Sequence, residues 1–431
     1  MAWVTRRSCA LFSAASLLAA TGLQNLARGE HELSELPVCE SYDLYSTDLN
    51  STDLCVSGSS ECSDDGCGWD LYGWLDAGYV YNTANPQSEF NGPYNSQDQD
   101  VGMFNQVYLV TEKTLHNDSG IGLGGRFDLL YGWDFLLGQS TGLELNPNGT
   151  NRWNSSQYYG LALPQIYGEM GNKDISLKFG HWYSIVGYEG LPAAAAPNFF
   201  YTKSYSYQFA GPFTHWGGIA AWQANDNWQW QGGLHNGWNQ LDGPSDHMGF
   251  IGGAKYTSDL RDWWSSFAIT AGTEPNNPAA LPITDEYTDR VRYSWIWDAH
   301  ISSRTEYVFH HWLGVQQEGA VGGGDALWYG IDQYLYYSLT STQRLGTRFE
   351  WFRDEDGTRV GLNRPSNPNK PPLPGNFFSW TLGDNWTPST YSNLLVRPEL
   401  RWDFYDGPAK PYDDGAKMYQ LLLGFDVIWL F

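Results

Sequence analysis

Tyr419-Gln420-Leu421-Leu422-Leu423-Gly424-Phe425-Asp426-Val427-Ile428-Trp429-Leu430-Phe431 closes the sequence. Its odd positions are apolar without exception, whereas Gln420, Gly424 and Asp426 fall among the even ones. Successive side chains of a strand point to opposite faces, so this spacing predicts a strand with one wholly apolar face. Leu422, Ile428 and Leu430 blur the other face. A strand ending on an aromatic fits the terminal stave of a membrane barrel, with Trp429 and Phe431 as a signal read by barrel assembly machinery. Alternation alone also fits a core strand of a soluble sandwich, because it does not distinguish lipid from a protein core.

Working outward, the 431 residues include 22 Trp, 28 Tyr and 20 Phe, and 48 acidic side chains against 24 basic ones. A net charge of −24 excludes a phosphate-binding surface, so no nucleic-acid partner is expected. The mean hydropathy of −0.45 speaks against a bundle of membrane helices. Past the first ~25 residues no apolar run reaches the ~18 that a spanning helix needs. Aromatic residues with 48 Gly suit antiparallel strands and tight turns.

Arg6 and Arg7 precede an apolar stretch from Cys9 to Leu23, the layout of a signal peptide over 1–27 that ends near Gly22 or Ala27. Residues 28–68 form an acidic, Ser-rich extension carrying Cys39, Cys55, Cys62 and Cys67. In an exported protein these predict two disulfides, with three pairings open. Their spacing fits no usual zinc pattern, so no metal is expected. The segment reads as a periplasmic extension or a small plug.

Strands are predicted at 69–82, 104–114, 121–132, 161–170, 175–185, 214–223, 228–238, 247–257, 263–272, 289–301, 304–315, 326–339, 343–353, 376–386, 393–405 and 418–431. Each is long enough, at about 10 to 14 residues, to cross a bilayer at a tilt. Their connectors alternate between long ones of about 8 to 28 residues and short ones of about 2 to 6, which describes an up-and-down barrel of about sixteen strands. That places 69–431 in an outer-membrane β-barrel with short periplasmic turns, long extracellular loops and both termini periplasmic.

The faces separate cleanly in several strands. Val291, Tyr293, Trp295 and Trp297 oppose Arg292, Ser294 and Asp298; Leu345, Phe349 and Trp351 oppose Arg348 and Glu350. Leu400, Trp402 and Phe404 oppose Arg397, Glu399, Arg401 and Asp403, and Phe127 and Leu129 oppose Arg126 and Asp128. So many charges on one face must meet water, and sixteen strands enclose an aqueous channel. Arg126, Asp128, Arg292, Asp298, Arg348, Glu350, Arg397, Glu399, Arg401 and Asp403 are therefore the expected pore-lining residues, and one register slip would reverse a strand.

Residues 69–431 resemble the OmpL-like β-barrel porin family. The resemblance rests on Gly73-Trp74-Leu75-Asp76-Ala77-Gly78-Tyr79, on Phe179-Gly180-His181-Trp182 with Gly187-Tyr188-Glu189, and most specifically on Arg397-Pro398-Glu399-Leu400-Arg401 followed by Trp402-Asp403. It implies an outer-membrane channel and supplies no catalytic residues. The cysteine-bearing extension lies outside it.

Other motifs carry less. Gly138-Gln139-Ser140-Thr141-Gly142 spells a nucleophile elbow but lies in a long loop rather than at a strand-to-helix corner, so a flexible loop is expected. In His310-His311, alternation turns His310 inward beside Glu306 and His311 toward lipid. Asp354-Glu355-Asp356-Gly357 lacks the later Glu of a calcium loop, and Asp98 and Asp100 promise at most loose divalent binding. The loop 186–213 is the candidate to fold inward as a constriction. Its Phe199, Phe200, Tyr201, Tyr205 and Tyr207 would offer faces on which sugar rings pack. The sequence thus reads as a porin passing small hydrophilic solutes, sugar-like or neutral ones foremost, without a cofactor; its size is compatible with a homotrimer. The alternatives are a secreted carbohydrate-binding β protein and a barrel lipid hydrolase using Ser140 or His311.

Overall fold

A computed structural model describes residues 68–431, apart from 95–97, 116–119, 155–157, 196, 243–246, 277–286, 321–322 and 362–371. The predicted signal peptide, the extension and all four paired-cysteine candidates lie outside the described residues. Seventeen strands are described: β1 (Asp70–Asn82), β2 (Gly102–Lys113), β3 (Gly122–Gly132), β4 (Gly160–Ala162), β5 (Ile166–Gly171), β6 (Ile175–Tyr183), β7 (Thr214–Gln223), β8 (Trp228–His235), β9 (Gly249–Thr257), β10 (Trp263–Pro275), β11 (Tyr287–Ser302), β12 (Thr305–Gln316), β13 (Ala326–Thr340), β14 (Gln343–Asp354), β15 (Gly375–Trp386), β16 (Leu394–Asp406) and β17 (Tyr419–Leu430).

Apart from β4 and β5, consecutive strands pair antiparallel, and β17 returns to β1. At the seam Trp74 faces Leu430, and Gly73 and Phe431 exchange both backbone hydrogen bonds at 2.9 and 3.0 Å. Closure leaves no unpaired edge. β4 and β5 both pair with β3, through Leu130–Ala162 and Phe127–Ile166, and make one stave interrupted at Leu163-Pro164-Gln165. Proline has no N–H to give to a ladder; Gln165 rejoins by accepting from the Asp128 N–H at 2.8 Å. The result is a closed barrel of sixteen staves, its fourth broken where the sequence predicted one continuous strand.

Short connectors such as 172–174, 303–304 and 341–342 lie at one end, long ones such as 83–101, 133–159, 184–213 and 355–374 at the other. The short turns close on side chains: Asn172 accepts from the N–H groups of Asp174 and Ile175, and Asn225 from those of Asn227 and Trp228. Outside, Val291, Trp295, Phe349, Trp402, Phe425 and Trp429 stand exposed along successive staves, an apolar band suited to lipid. Inside, the inward side chains from β10 to β17 are buried almost throughout. The sequence led to an expectation of a wide wet lumen; among the described residues it is instead largely filled, because the loop 184–213 packs within it.

Candidate functional site: the loop inside the barrel

The loop leaves β6 at Tyr183 and rejoins the wall at Thr214. Between these points the wall holds mainly its main chain. Arg397 donates to the carbonyls of Ala193 (3.1 Å) and Asn198 (2.7 Å), Arg348 to that of Thr202 (2.8 Å), and Arg401 to that of Lys203 (2.8 Å). Arg292 donates to Val186 and Trp328 Nε1 to Ala210 at 2.9 Å, and from the connector 355–374 Arg359 donates to Phe209 at 2.9 Å. Carboxylates take the complementary groups: Glu399 accepts from the Thr202 N–H and Glu350 from the Tyr205 N–H. A buried loop must satisfy its backbone polar groups somewhere, and here the wall's charges do so.

The same charges are paired with one another. Arg348 lies 2.7 Å from Glu350 and 2.9 Å from Glu189, and Arg401 lies 2.8 Å from Asp403 and 3.6 Å from Glu350. Arg397 is bidentate on Asp426, and on β2 and β3 Arg126 bridges Asp128 (2.7 Å) and Glu112 (3.4 Å). Asp298 is buried on β11 near Glu306, Arg344 and Lys255. Arg401 is also sandwiched between the rings of Tyr94 and Tyr205, at 4.7 and 4.9 Å. The expected pore-lining residues thus all point inward and are buried, and six of them, Arg292, Arg348, Glu350, Glu399, Arg397 and Arg401, bind loop main chain rather than facing open water.

The aromatic residues of the loop fit into recesses made by wall glycines. A Cβ on Gly346 of β14 would come within 2.4 Å of the Phe199 ring, and one on Gly383 of β15 within 3.0 Å of Phe200. Tyr201 covers Gly78 of β1 and Gly424 of β17 in the same way, at 2.4 and 3.2 Å. Glycine inside a strand marks such close approach. Tyr205 hydrogen-bonds Asp403 and Tyr412, each at 3.0 Å, and partly buried Tyr207 packs on Phe213. The expectation that these rings offer stacking faces to sugars is corrected for Phe199, Phe200, Tyr201 and Tyr205: their faces are turned into the wall, where burial of large apolar area fixes the loop.

Three titratable groups of the loops feel this burial. Burial pushes the Glu189 carboxyl up, but Arg348 and then Lys203 outweigh it and hold the group below its ordinary range. Burial lowers the Lys203 ammonium to about 8, offset in part by Glu189 and Asp134. Asp134, next to β3, is raised to about 6 by burial, against the hydrogen bond from Gln106 at 2.7 Å. Asp134, Lys203, Asp332, Tyr94 and Asp426 were not singled out from the sequence. Asp426 and Asp332 stand on the polar faces of predicted strands, whereas the loop residues Tyr94, Asp134 and Lys203 have no periodicity to reveal them.

The remaining motifs are also placed. Ser140 is no part of a flexible loop: it is fully buried, 3.1 Å from His181 Nε2 and 3.1 Å from the Thr214 hydroxyl, while His181 Nδ1 meets the Leu163 carbonyl at 2.9 Å. His310 turns inward, but its partner is Asp332 at 2.9 Å rather than Glu306. His311 stacks on Tyr293. Asp354 accepts three backbone N–H groups of its own loop, from Thr358, Arg359 and Val360, and Asp100 accepts from the Tyr79 hydroxyl at 2.6 Å. No cluster with metal-ligand geometry exists among the described residues. A cavity of about 150 Å³ remains toward the short-turn end, lined by Ala193, Ala195, Asn198, Glu306, Tyr336 and Arg344 among others.

The sequence matches the family described as putative beta-barrel porin-2, OmpL-like, over residues 68–431. The chain belongs to this family of porins. Among curated proteins none matches it. In fold the porin is similar to in-vitro folded OmpT of Vibrio cholerae, with a TM-score of 0.55 at 10% identity over 86% of this chain and 100% of that one. It is likewise similar to the outer membrane channel DcaP of Acinetobacter baumannii (TM-score 0.53, 10% identity, 86% and 99% coverage). A third likeness is to an anion-selective porin from Comamonas acidovorans (0.53, 9%, 84% and 99%). The porin is thus an outer-membrane β-barrel by family, and the likenesses carry its fold.

Proposed function

We propose that this porin passes small hydrophilic solutes by passive diffusion, neutral and sugar-sized ones foremost, with the loop 186–213 as its constriction. The observation that supports this is the pairing of the wall: each of Arg126, Arg348, Arg397 and Arg401 is matched by a carboxylate inside 3 Å. A wall whose charges cancel locally presents little net field to a passing ion. Arg126, Asp128, Arg292, Asp298, Arg348, Glu350, Arg397, Glu399, Arg401 and Asp403 are assigned to that wall. Selection for sugar-like solutes then rests on polar edges and aperture rather than on free ring faces.

In this reading the short turns and both termini face the periplasm, the long loops face outward, and Trp429 and Phe431 are recognised during assembly. Residues 1–27 direct export, and 28–68 form an oxidised periplasmic extension. No cofactor takes part. Ser140 and His181 share a hydrogen bond but are sealed from solvent, which favours a structural latch over a nucleophile.

Reconstitution of detergent-extracted, folded protein tests the proposal. Stepwise conductance in planar bilayers, weak cation-against-anion preference and liposome swelling with monosaccharides are the expected results. A silent bilayer with no swelling would overturn the channel reading; strong ion preference would overturn only the neutral-solute part.

A further inference from the structure

Both ends of the inward loop meet at one side chain, Arg292 of β11. Its guanidinium donates to the Val186 carbonyl, and Gly211 lies so close that a Cβ there would approach Nη1 to 2.6 Å. Gly187, at φ +145°, passes the same group within ordinary contact distance. Arg292 is 2% exposed. Unlike Arg126, Arg348, Arg397 and Arg401, it has no carboxylate within 4 Å among the described residues, and its Nε has no partner.

Beside it lies a cavity of about 30 Å³, lined by Arg292, Tyr188, Ser206, Tyr207, Phe213 and His310 among others. The acids nearby are already engaged. Glu189, on the cavity wall, serves Arg348, the Tyr334 hydroxyl and the Ser204 N–H. Asp332 accepts from Ser206, from His310 Nδ1 and from Trp312. The buried Tyr207 hydroxyl has no partner.

We infer that this neck cavity is a binding site for a single halide-sized anion, held by Arg292 with the Tyr207 hydroxyl as second donor. A guanidinium stays protonated even when buried, and a buried charge calls for a counter-charge. A cavity of this size has room for one monatomic ion or one to two waters. An anion there would tie together the two ends of the loop, since the same arginine holds Val186 and packs against Gly211. The inference rests on the seating of the loop and not on which solute the barrel passes.

Crystals of the full barrel grown in bromide test the site directly, with anomalous density in the neck cavity expected. Heat-modifiability midpoints at matched ionic strength should be about 2 °C higher in chloride than in the far bulkier gluconate. That difference should vanish in Arg292→Met and persist in part in Arg292→Lys. A water in place of bromide, bromide only at the surface, or equal midpoints in the two salts would overturn the inference. If Arg292→Met fails to fold, the bromide density of the unaltered protein decides alone.

Discussion

Arg397 shows how much a single side chain does in this barrel. It closes a bidentate pair with Asp426 across β16 and β17, and its remaining donors hold the carbonyls of Ala193 and Asn198. Arg397→Ala would leave Asp426 buried without its partner, and removal of one member of a buried pair costs about 3 to 5 kcal/mol. The expected outcome is a lower heat-modifiability midpoint in detergent than Asp426→Asn produces, because the asparagine leaves the arginine's loop contacts in place. Asp134 supplies a pH test. Its pKa rises on folding from 3.8 to about 6, so its contribution to stability is complete below about 3.8 and is lost as pH climbs through about 6. Melting midpoints should fall between pH 4 and pH 6.5 by the equivalent of up to ~3 kcal/mol, and Asp134→Asn should flatten that slope. A slope unchanged in the variant would place its origin elsewhere.

At the scale of elements, the staves were legible and the inward loop was only half so. Period-2 alternation in segments such as 289–301 and 393–405 set stave number, order and inward face, because lipid outside and charge inside leave opposite marks on alternate residues. Alternation does not reveal the break in the fourth stave, although Pro164 in the middle of the predicted strand announces a missing donor. The docking of the loop was illegible for a physical reason: the wall binds carbonyls and N–H groups, which every residue carries. Its one readable trace was Gly78, Gly346, Gly383 and Gly424 inside strands, the counterparts of the aromatic run at 199–201. Filling a recess should therefore dislodge the loop. Gly346→Val and Gly78→Val are expected to leave a heat-modifiable barrel with severalfold larger conductance, whereas Gly168→Val, whose Cβ would meet open space on the outside, should leave it unchanged. Equal conductance in all three would show that the loop does not set the aperture.

For the whole molecule, closure rests on one seam. Phe431 is half exposed, packs near Trp429 at 5.9 Å and exchanges two backbone bonds with Gly73. Deleting Phe431 removes both bonds and the last girdle contact, and should lower the fraction of heat-modifiable protein recovered from outer membranes severalfold, with little change in the conductance of molecules that do fold. Loss of conductance in the folded fraction would instead tie the seam to the channel itself. The grip of the arginines on the loop's peptide groups has a separate consequence, for variation. What the wall recognises there is the path of a chain, so letters whose side chains take no part in the seating are free to change while the path is kept. The three rings seated on glycine, the buried Tyr188, Leu191 and Phe209 and the polar anchors such as Glu189, Asn198, Tyr205 and Gln208 are fixed; the half-buried positions between them are a rewritable surface inside a fixed frame. Libraries varied at half-buried positions such as Ala194 and Pro197 should yield barrels that assemble normally yet differ from one another in what they let through.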